Sequence, residues 1–253
     1  MSVTLDAAGP IAALTVDPPA DGYDRTLTEG LTAAAEELTA RHPEVRVVVV
    51  GTAGAGFGSG WSPAALEDDA MLRDILGPIG AGFDALAGVP QPTVAAIRGA
   101  AHSAGLELAL ACDIRVAADD ATFAMPETGD GLVPRGGGTQ RLPRAVGRAQ
   151  ALRLLLTGEV LDAAEALRIG LVSEVVADGD LDAAASAVAE AIASRGPLAT
   201  RFAKEAIMRG VEAPLAEALR LELELTVLLQ TTADRAEGVN AFVERRDPEF
   251  TGE

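Results

Sequence analysis

Two glutamates, Glu107 and Glu127, stand 20 residues apart in stretches that otherwise hold mostly apolar and small residues. Glu107 lies in Gly105-Leu-Glu-Leu-Ala-Leu-Ala-Cys112, a run apolar enough to be buried. A buried carboxylate is costly unless it has a partner or a task. Burial also lifts a carboxyl pKa toward the range where it exchanges protons near neutral pH. Glu127 follows Pro126 and precedes a glycine-rich turn, which places it at the end of a short element facing a cleft. Two carboxylates in two such settings can serve as an acid and a base. The competing reading makes Glu107 a salt-bridged core residue and Glu127 a charge at a helix start.

The rest of the chain must supply the elements that hold this pair. Val3–Leu5 and Ile11–Val16 flank Ala7-Ala-Gly-Pro10 and read as a hairpin. After the turn-rich Asp17-Pro-Pro-Ala-Asp-Gly22, the Thr26-x-x-Glu29 pattern predicts a capped helix to about Arg41. Val45–Val50, interrupted by Arg46, reads as a buried strand. It enters Gly51-Thr-Ala-Gly-Ala-Gly-Phe-Gly-Ser-Gly60, where glycines allow backbone to approach a ligand closely. That spacing fits neither a dinucleotide fingerprint nor a phosphate loop. A helical region is predicted over 64–86, with a break at Gly77-Pro78. A strand over Thr93–Ile97, a turn over Gly99–Ser103 and a helix from about Ala104 follow, then short strands at Asp113–Ala117 and Ala121–Ala124. Strands alternating with helices define an α/β class. After Gly136-Gly-Gly138 the pattern turns mostly helical, with a start at Asp162-Ala-Ala-Glu165, a stop at Gly170 and a last strand at Ser173–Val176. From Leu181 to Glu244 the chain is amphipathic and helical, broken near Arg195-Gly-Pro197 and Gly210. The expected organisation is an α/β core over 1–196 and a helical region over 197–253.

With 253 residues the chain has room for one large domain, or a main domain with an appendage. Lys and Arg number 20 against 38 Asp and Glu, a net charge of −18. Such acidity argues against nucleic acid and against an anionic membrane face as partners. An anionic ligand would need a local basic patch. Cys112 is the single cysteine, so no intrachain disulfide forms, and its apolar setting suits an inert thiol. His42 and His102 lack metal-ligand spacing, so no metal is expected, and His102 reads as a hydrogen-bonded interior histidine in preference to a catalytic base. No cationic start followed by an apolar run and no membrane-length apolar run is visible, so the expected location is cytoplasmic.

Six segments together resemble the enoyl-CoA hydratase/isomerase (crotonase) superfamily. They are Gly56-Phe-Gly-Ser-Gly60, Ala95-Ala-Ile-Arg-Gly-Ala, Leu106-Glu-Leu-Ala-Leu-Ala-Cys-Asp-Ile114, Phe123-Ala-Met-Pro-Glu127, Gly136-Gly-Gly-Thr-Gln-Arg-Leu142 and Glu237-Gly-Val-Asn-Ala-Phe-Val-Glu-Arg-Arg246. The resemblance implies a spiral of β-β-α turns with a helical C-terminal trimerisation region. It implies an acyl-CoA thioester substrate, with CoA entering as part of the substrate rather than as a resident cofactor, and a homotrimer or dimer of trimers. It assigns the thioester oxygen to the backbone N–H groups of Ser59 and Ala104, the second at a helix N-terminus where the dipole favours negative charge. It makes Glu107 and Glu127 the hydratase pair, one taking a proton from water and the other delivering one to the α-carbon. It places Arg25, Leu27, Gly58, Gly60, Trp61, Arg135 and Arg245 against the substrate or its CoA, Arg245 across a subunit boundary. Ser59 lacks a G-x-S-x-G setting and reads as a backbone donor, not a nucleophile.

Three departures stand out. Trp61-Ser-Pro63 replaces a small-Asp-Leu pattern, His102-Ser-Ala104 replaces a glycine-richer run, and Arg135 replaces a glycine. Arg135 has three open readings: pairing with Glu127, holding a distal carboxylate on the acyl group, or facing solvent. The leading function is hydration of a 2-enoyl-CoA. The alternatives are isomerisation, hydrolysis or decarboxylation of an acyl-CoA, or non-catalytic acyl-CoA binding.

Overall fold

The computed structural model describes residues 3–20, 22–63, 65 and 79–253. The β-branched run Val47-Val-Val-Val50 forms the heart of strand β3 (Val47–Thr52), flanked in parallel by β2 (Ile11–Val16) and β4 (Thr93–Ile97). β1 (Val3–Asp6) runs antiparallel to β2, completing the expected hairpin. β6 (Ile114–Ala118) and β9 (Glu174–Val176) extend the sheet in parallel, giving the order β1-β2-β3-β4-β6-β9. A smaller sheet of β5 (Ala100–His102), β7 (Thr122–Ala124) and β8 (Leu161–Asp162) lies beside it. β4 and β6 in the large sheet are each followed by a short strand, β5 and β7, in the small one, which is the spiral. An earlier turn reaches the small sheet only through a bridge from Gly58 to Ala101.

The segment 99–103, expected as a turn, therefore contains β5. Three residues are too few to show a strand period, and pairing with β7 decides their state. Helix α1 (Arg25–Ala40) starts two residues earlier than the Thr26 pattern suggested, because Asp24 is its cap and accepts from the Leu27 N–H at 2.8 Å. α2 (Ala81–Ala87) packs on α1. The rest of the helical region expected over 64–86, with its Gly77-Pro78 break, lies almost wholly outside the described residues. α3 (Ala104–Ala111) is buried on every side, as a helix apolar all round must be. A 3-10 turn covers Glu127–Asp130. α4 (Gly138–Thr157) bends at Gly147, and α5 (Ala163–Arg168) is capped by Asp162. α6 (Leu181–Ala193) covers the outer face of the large sheet, burying Leu181, Ala185 and Ala189 with Val47, Val94 and Val116.

The remaining helices are α7 (Pro197–Gly210), α8 (Leu215–Leu229) and α9 (Ala233–Glu244). A break before α9, not anticipated above, is capped by Thr232, whose hydroxyl accepts from the Arg235 N–H. Lys204 of α7 reaches Asp113 at 2.7 Å and the Gln91 carbonyl at 2.9 Å. Arg46, the charge that interrupted the strand pattern, donates to the carbonyls of Ala193 and Phe250 and so ties the C-terminal segment to the sheet. Among the described residues no helix is long and apolar enough to cross a membrane.

Candidate active site

Glu107 sits in α3 with no solvent exposure. Its Oε1 accepts from the backbone N–H groups of Gly136 at 2.6 Å and Gly138 at 2.9 Å, and its Oε2 accepts from the indole N–H of Trp61 at 3.2 Å. Gly138 opens α4, so the carboxylate lies on the unpaired N–H groups of a helix start, where the dipole favours negative charge. The glycines are required by that approach. A Cβ on Gly136 would come within 2.6 Å of the Phe83 ring and 2.9 Å of Glu107 Oε2. Arg141 clamps the turn by donating to the Gly136 carbonyl at 2.9 Å while pairing with Asp84 of α2. Burial pushes the Glu107 pKa up to about 7; the three N–H donors pull against that rise and the charge of Glu127 adds to it. Among the described residues the carboxylate is held by N–H donors and not by a cation, so the salt-bridged core reading fails.

Glu127 opens the 3-10 turn after β7 and is 7% exposed. Both of its carboxyl oxygens are buried and, among the described residues, have no hydrogen-bond partner. Its backbone is held, with the Glu127 carbonyl accepting from the Leu132 N–H at 2.9 Å. A buried carboxyl group with all its lone pairs open, beside a second carboxylate, is poised for a ligand.

A backbone corner adjoins the pair. Ser103, with φ 50 and ψ −120, turns β5 into α3 and is pinned by its N–H to the Ala124 carbonyl. Ala104, first in α3, has no intrahelical acceptor for its N–H. Gly58 lies against this corner, since a Cβ on Gly105 would meet the Gly58 oxygen at 2.5 Å and one on Gly58 would meet the Tyr23 ring at 2.3 Å. The Gly58 carbonyl accepts from the His102 N–H at 2.8 Å. N–H and C=O oppose each other across a trans peptide, so the Ser59 N–H points away from β5 and the start of α3. The Gly60 carbonyl accepts from the Tyr23 N–H at 2.9 Å, so the Trp61 N–H points away from Tyr23.

The other expected residues divide. Trp61 is buried, packed edge-on to Tyr23 at 6.2 Å and tilted on Phe83 at 5.5 Å. Leu27 is a core residue, its side chain fully buried and its N–H taken by Asp24. Both backbone groups of Gly58 are engaged with β5, so it shapes the corner instead of offering a donor. Gly60 keeps its φ of 148 beside Ser103. Arg25 begins α1 and Arg135 directly precedes Gly136, both half-buried. Arg245 ends α9 in a left-handed conformation with its side chain exposed. His102 Nε2 lies 3.0 Å from the Thr122 hydroxyl, and burial lowers its pKa. Burial pushes the Cys112 thiol up to about 12, away from reactivity. The donors on Glu107 were not foreseen. The glycine triplet at a helix start was the visible signal for two of them, and an indole contact across 46 residues has no local signal.

A two-sheet α/β spiral that sets two buried carboxylates beside the start of α3 has the groups that acid–base chemistry on a bound carbonyl needs. The chain belongs to the enoyl-CoA hydratase/isomerase family, whose model matches residues 7–253. It is 41% identical over 225 residues to a probable enoyl-CoA hydratase of Mycobacterium tuberculosis, covering 87% of this chain and 86% of that protein. It is 38% identical over 206 residues to a crotonyl-CoA hydratase of Syntrophomonas wolfei, covering 81% and 79%. The crystal structure of an enoyl-CoA hydratase from Bacillus anthracis superposes with a TM-score of 0.94 at 35% identity, covering 100% of both chains.

Proposed function

We propose that the protein adds water across the 2,3 double bond of a 2-enoyl-CoA thioester. The observation that carries this reading is the unequal carboxylate pair. Among the described residues Glu107 has three N–H donors that favour its ionised form, and Glu127 has none on its carboxyl group. Glu107 acts as the base. It takes a proton from water as the oxygen bonds to the β-carbon. The π electrons move toward the thioester, whose oxygen becomes an enolate oxyanion. Glu127 gives a proton to the α-carbon, the thioester carbonyl reforms, and return of the proton from Glu107 to Glu127 resets the pair. Two backbone N–H groups stabilise the oxyanion. Ala104 supplies one; Trp61 replaces Ser59 as the other, because the Ser59 N–H is directed away from the start of α3.

CoA enters with the substrate and no separate cofactor is required. Arg25 and Arg245 supply positive charge for its phosphates in an otherwise acidic protein. The region from residue 197 assembles the chain into a trimer or dimer of trimers. Leu215, Leu219, Leu223 and Val227 form an exposed stripe along α8, 55% to 74% exposed, which calls for a partner surface. Light scattering should give a mass of three or six chains; a monomer at micromolar concentration rules this out. Activity is tested with crotonyl-CoA. Loss of the conjugated enoyl absorbance, with a product heavier by one water, supports hydration. Absence of a water adduct across short, long and branched 2-enoyl-CoAs rejects it.

A further inference from the structure

Glu107 as a base must present one particular lone pair to its water, and the structure fixes which one. A carboxylate has about four acceptor positions. Gly136 and Gly138 both donate to Oε1, and Trp61 donates to Oε2. Among the described residues this leaves one position on Oε2 for the water. The indole that sets this is itself immobilised. Trp61 is buried between Tyr23 and Phe83, and Tyr23 is anchored by its hydroxyl to the Phe57 carbonyl at 2.7 Å. We propose that Trp61 is a positioning residue for the base: its indole N–H aims Glu107 Oε2 at the reacting water, and its own backbone carries that aim to the corner that holds the thioester. The residue at this place is one of the chain's departures from the family pattern, so the device belongs to this chain. The proposal rests on the hydration reading.

The groups around Glu107 constrain what should be seen. Glu127 faces it from the 3-10 turn, the N–H groups of Gly136 and Gly138 from the start of α4, and Trp61 from the glycine-rich segment. α2 contributes the uncharged Phe83 beside Gly136, and its Asp84 is paired with Arg141. Arg135 precedes Gly136 in the chain. Deleting the indole N–H removes a donor to the charged form, so Glu107 becomes harder to ionise.

The test uses Trp61→Phe, which keeps the backbone N–H and an aromatic ring. A second form of the protein carries benzothienylalanine, an N–H-free isostere, at the single tryptophan position. Both should lose about 10- to 100-fold in kcat, with KM changed far less, and both should shift the acid limb of kcat/KM to higher pH. Intact protein gives a readout independent of turnover. The fluorescence of its one tryptophan should titrate with Glu107 near pH 7, and Glu107→Gln should abolish that transition. A kcat loss with an unmoved acid limb makes Trp61 a space filler and overturns the proposal. So does a wild-type rate in either substituted form, or a fluorescence transition that survives Glu107→Gln. If the wild type hydrates no enoyl-CoA but the fluorescence transition is present and depends on Glu107, the hydration reading fails and the indole–carboxylate link stands.

Discussion

Glu107 and Glu127 are the same residue type, both buried, and they meet burial in opposite ways. Glu107 projects from a helix buried on all sides and is matched by three N–H donors. Glu127 stands on a short 3-10 turn, and among the described residues neither of its oxygens has a hydrogen-bond partner. Burial alone therefore does not assign a role. The donors do, because hydrogen bonds to a carboxylate favour its ionised form and their absence leaves the group open to whatever enters the cleft. The difference arises in the chain's geometry: the Gly136-Gly-Gly138 turn delivers a helix start to one carboxylate and nothing comparable to the other.

The strongest way to break this comparison is to neutralise each member. Glu107→Gln and Glu127→Gln should each lower kcat for hydration by about 10²- to 10⁴-fold with the fold intact. Their division of labour separates in a second reaction. A saturated acyl-CoA has no double bond to hydrate, but its α-proton can exchange with solvent through Glu127 and the backbone corner. Glu127→Gln should abolish deuterium incorporation at the α-carbon, while Glu107→Gln should retain most of it. Equal loss in both variants would show that the two carboxylates act as one unit.

A smaller effect sharpens the electrostatic side. Glu107 must be ionised to accept a proton, and its pKa lies at about 7. Below that pH kcat/KM should fall about tenfold per unit. The Glu127 charge is one cause of the rise, so Glu127→Gln should move the Glu107 transition, read by tryptophan fluorescence, to lower pH. A transition that stays in place would mean that the two groups do not sense each other.

The sequence made much of this legible, and what it hid had physical reasons. The hairpin, the Val47–Val50 strand and α3 were readable because local pattern and burial agree there. β5 was hidden because its state depends on β7, a partner 22 residues on. The Thr26 pattern misplaced the start of α1, since Asp24 caps the helix two residues earlier by accepting from the Leu27 N–H. Glu107 and Glu127 could be found as carboxylates in apolar company. Their asymmetry could not, because it is made by contacts from residues 29 and 46 positions away. Ser59 and Trp61 stand two residues apart, and the carbonyls that precede them, of Gly58 and Gly60, are taken by His102 and Tyr23, partners that no local pattern announces.

The smallest expected effect is on stability, and it follows from the same asymmetry. The Glu107 pKa is raised from 4.5 to about 7 on folding, with burial the leading cause. A carboxyl group raised in this way is fully compatible with the fold below pH 4.5, where both folded and unfolded states hold the proton. Between 4.5 and about 7 the unfolded chain ionises first, so wild-type stability is lost as the pH rises. Above about 7 the penalty is complete, and the shift bounds it at about 3 kcal/mol. Glutamine cannot ionise, so Glu107→Gln escapes this penalty whatever its fixed packing cost. The unfolding free energy of the variant minus that of wild type should therefore rise from pH 4.5 to 8 by up to about 3 kcal/mol, measured by denaturant titration across that range. A flat difference would mean that the three N–H donors offset burial in full. A falling difference would mean that they exceed it and that Glu107 stabilises the fold as a carboxylate.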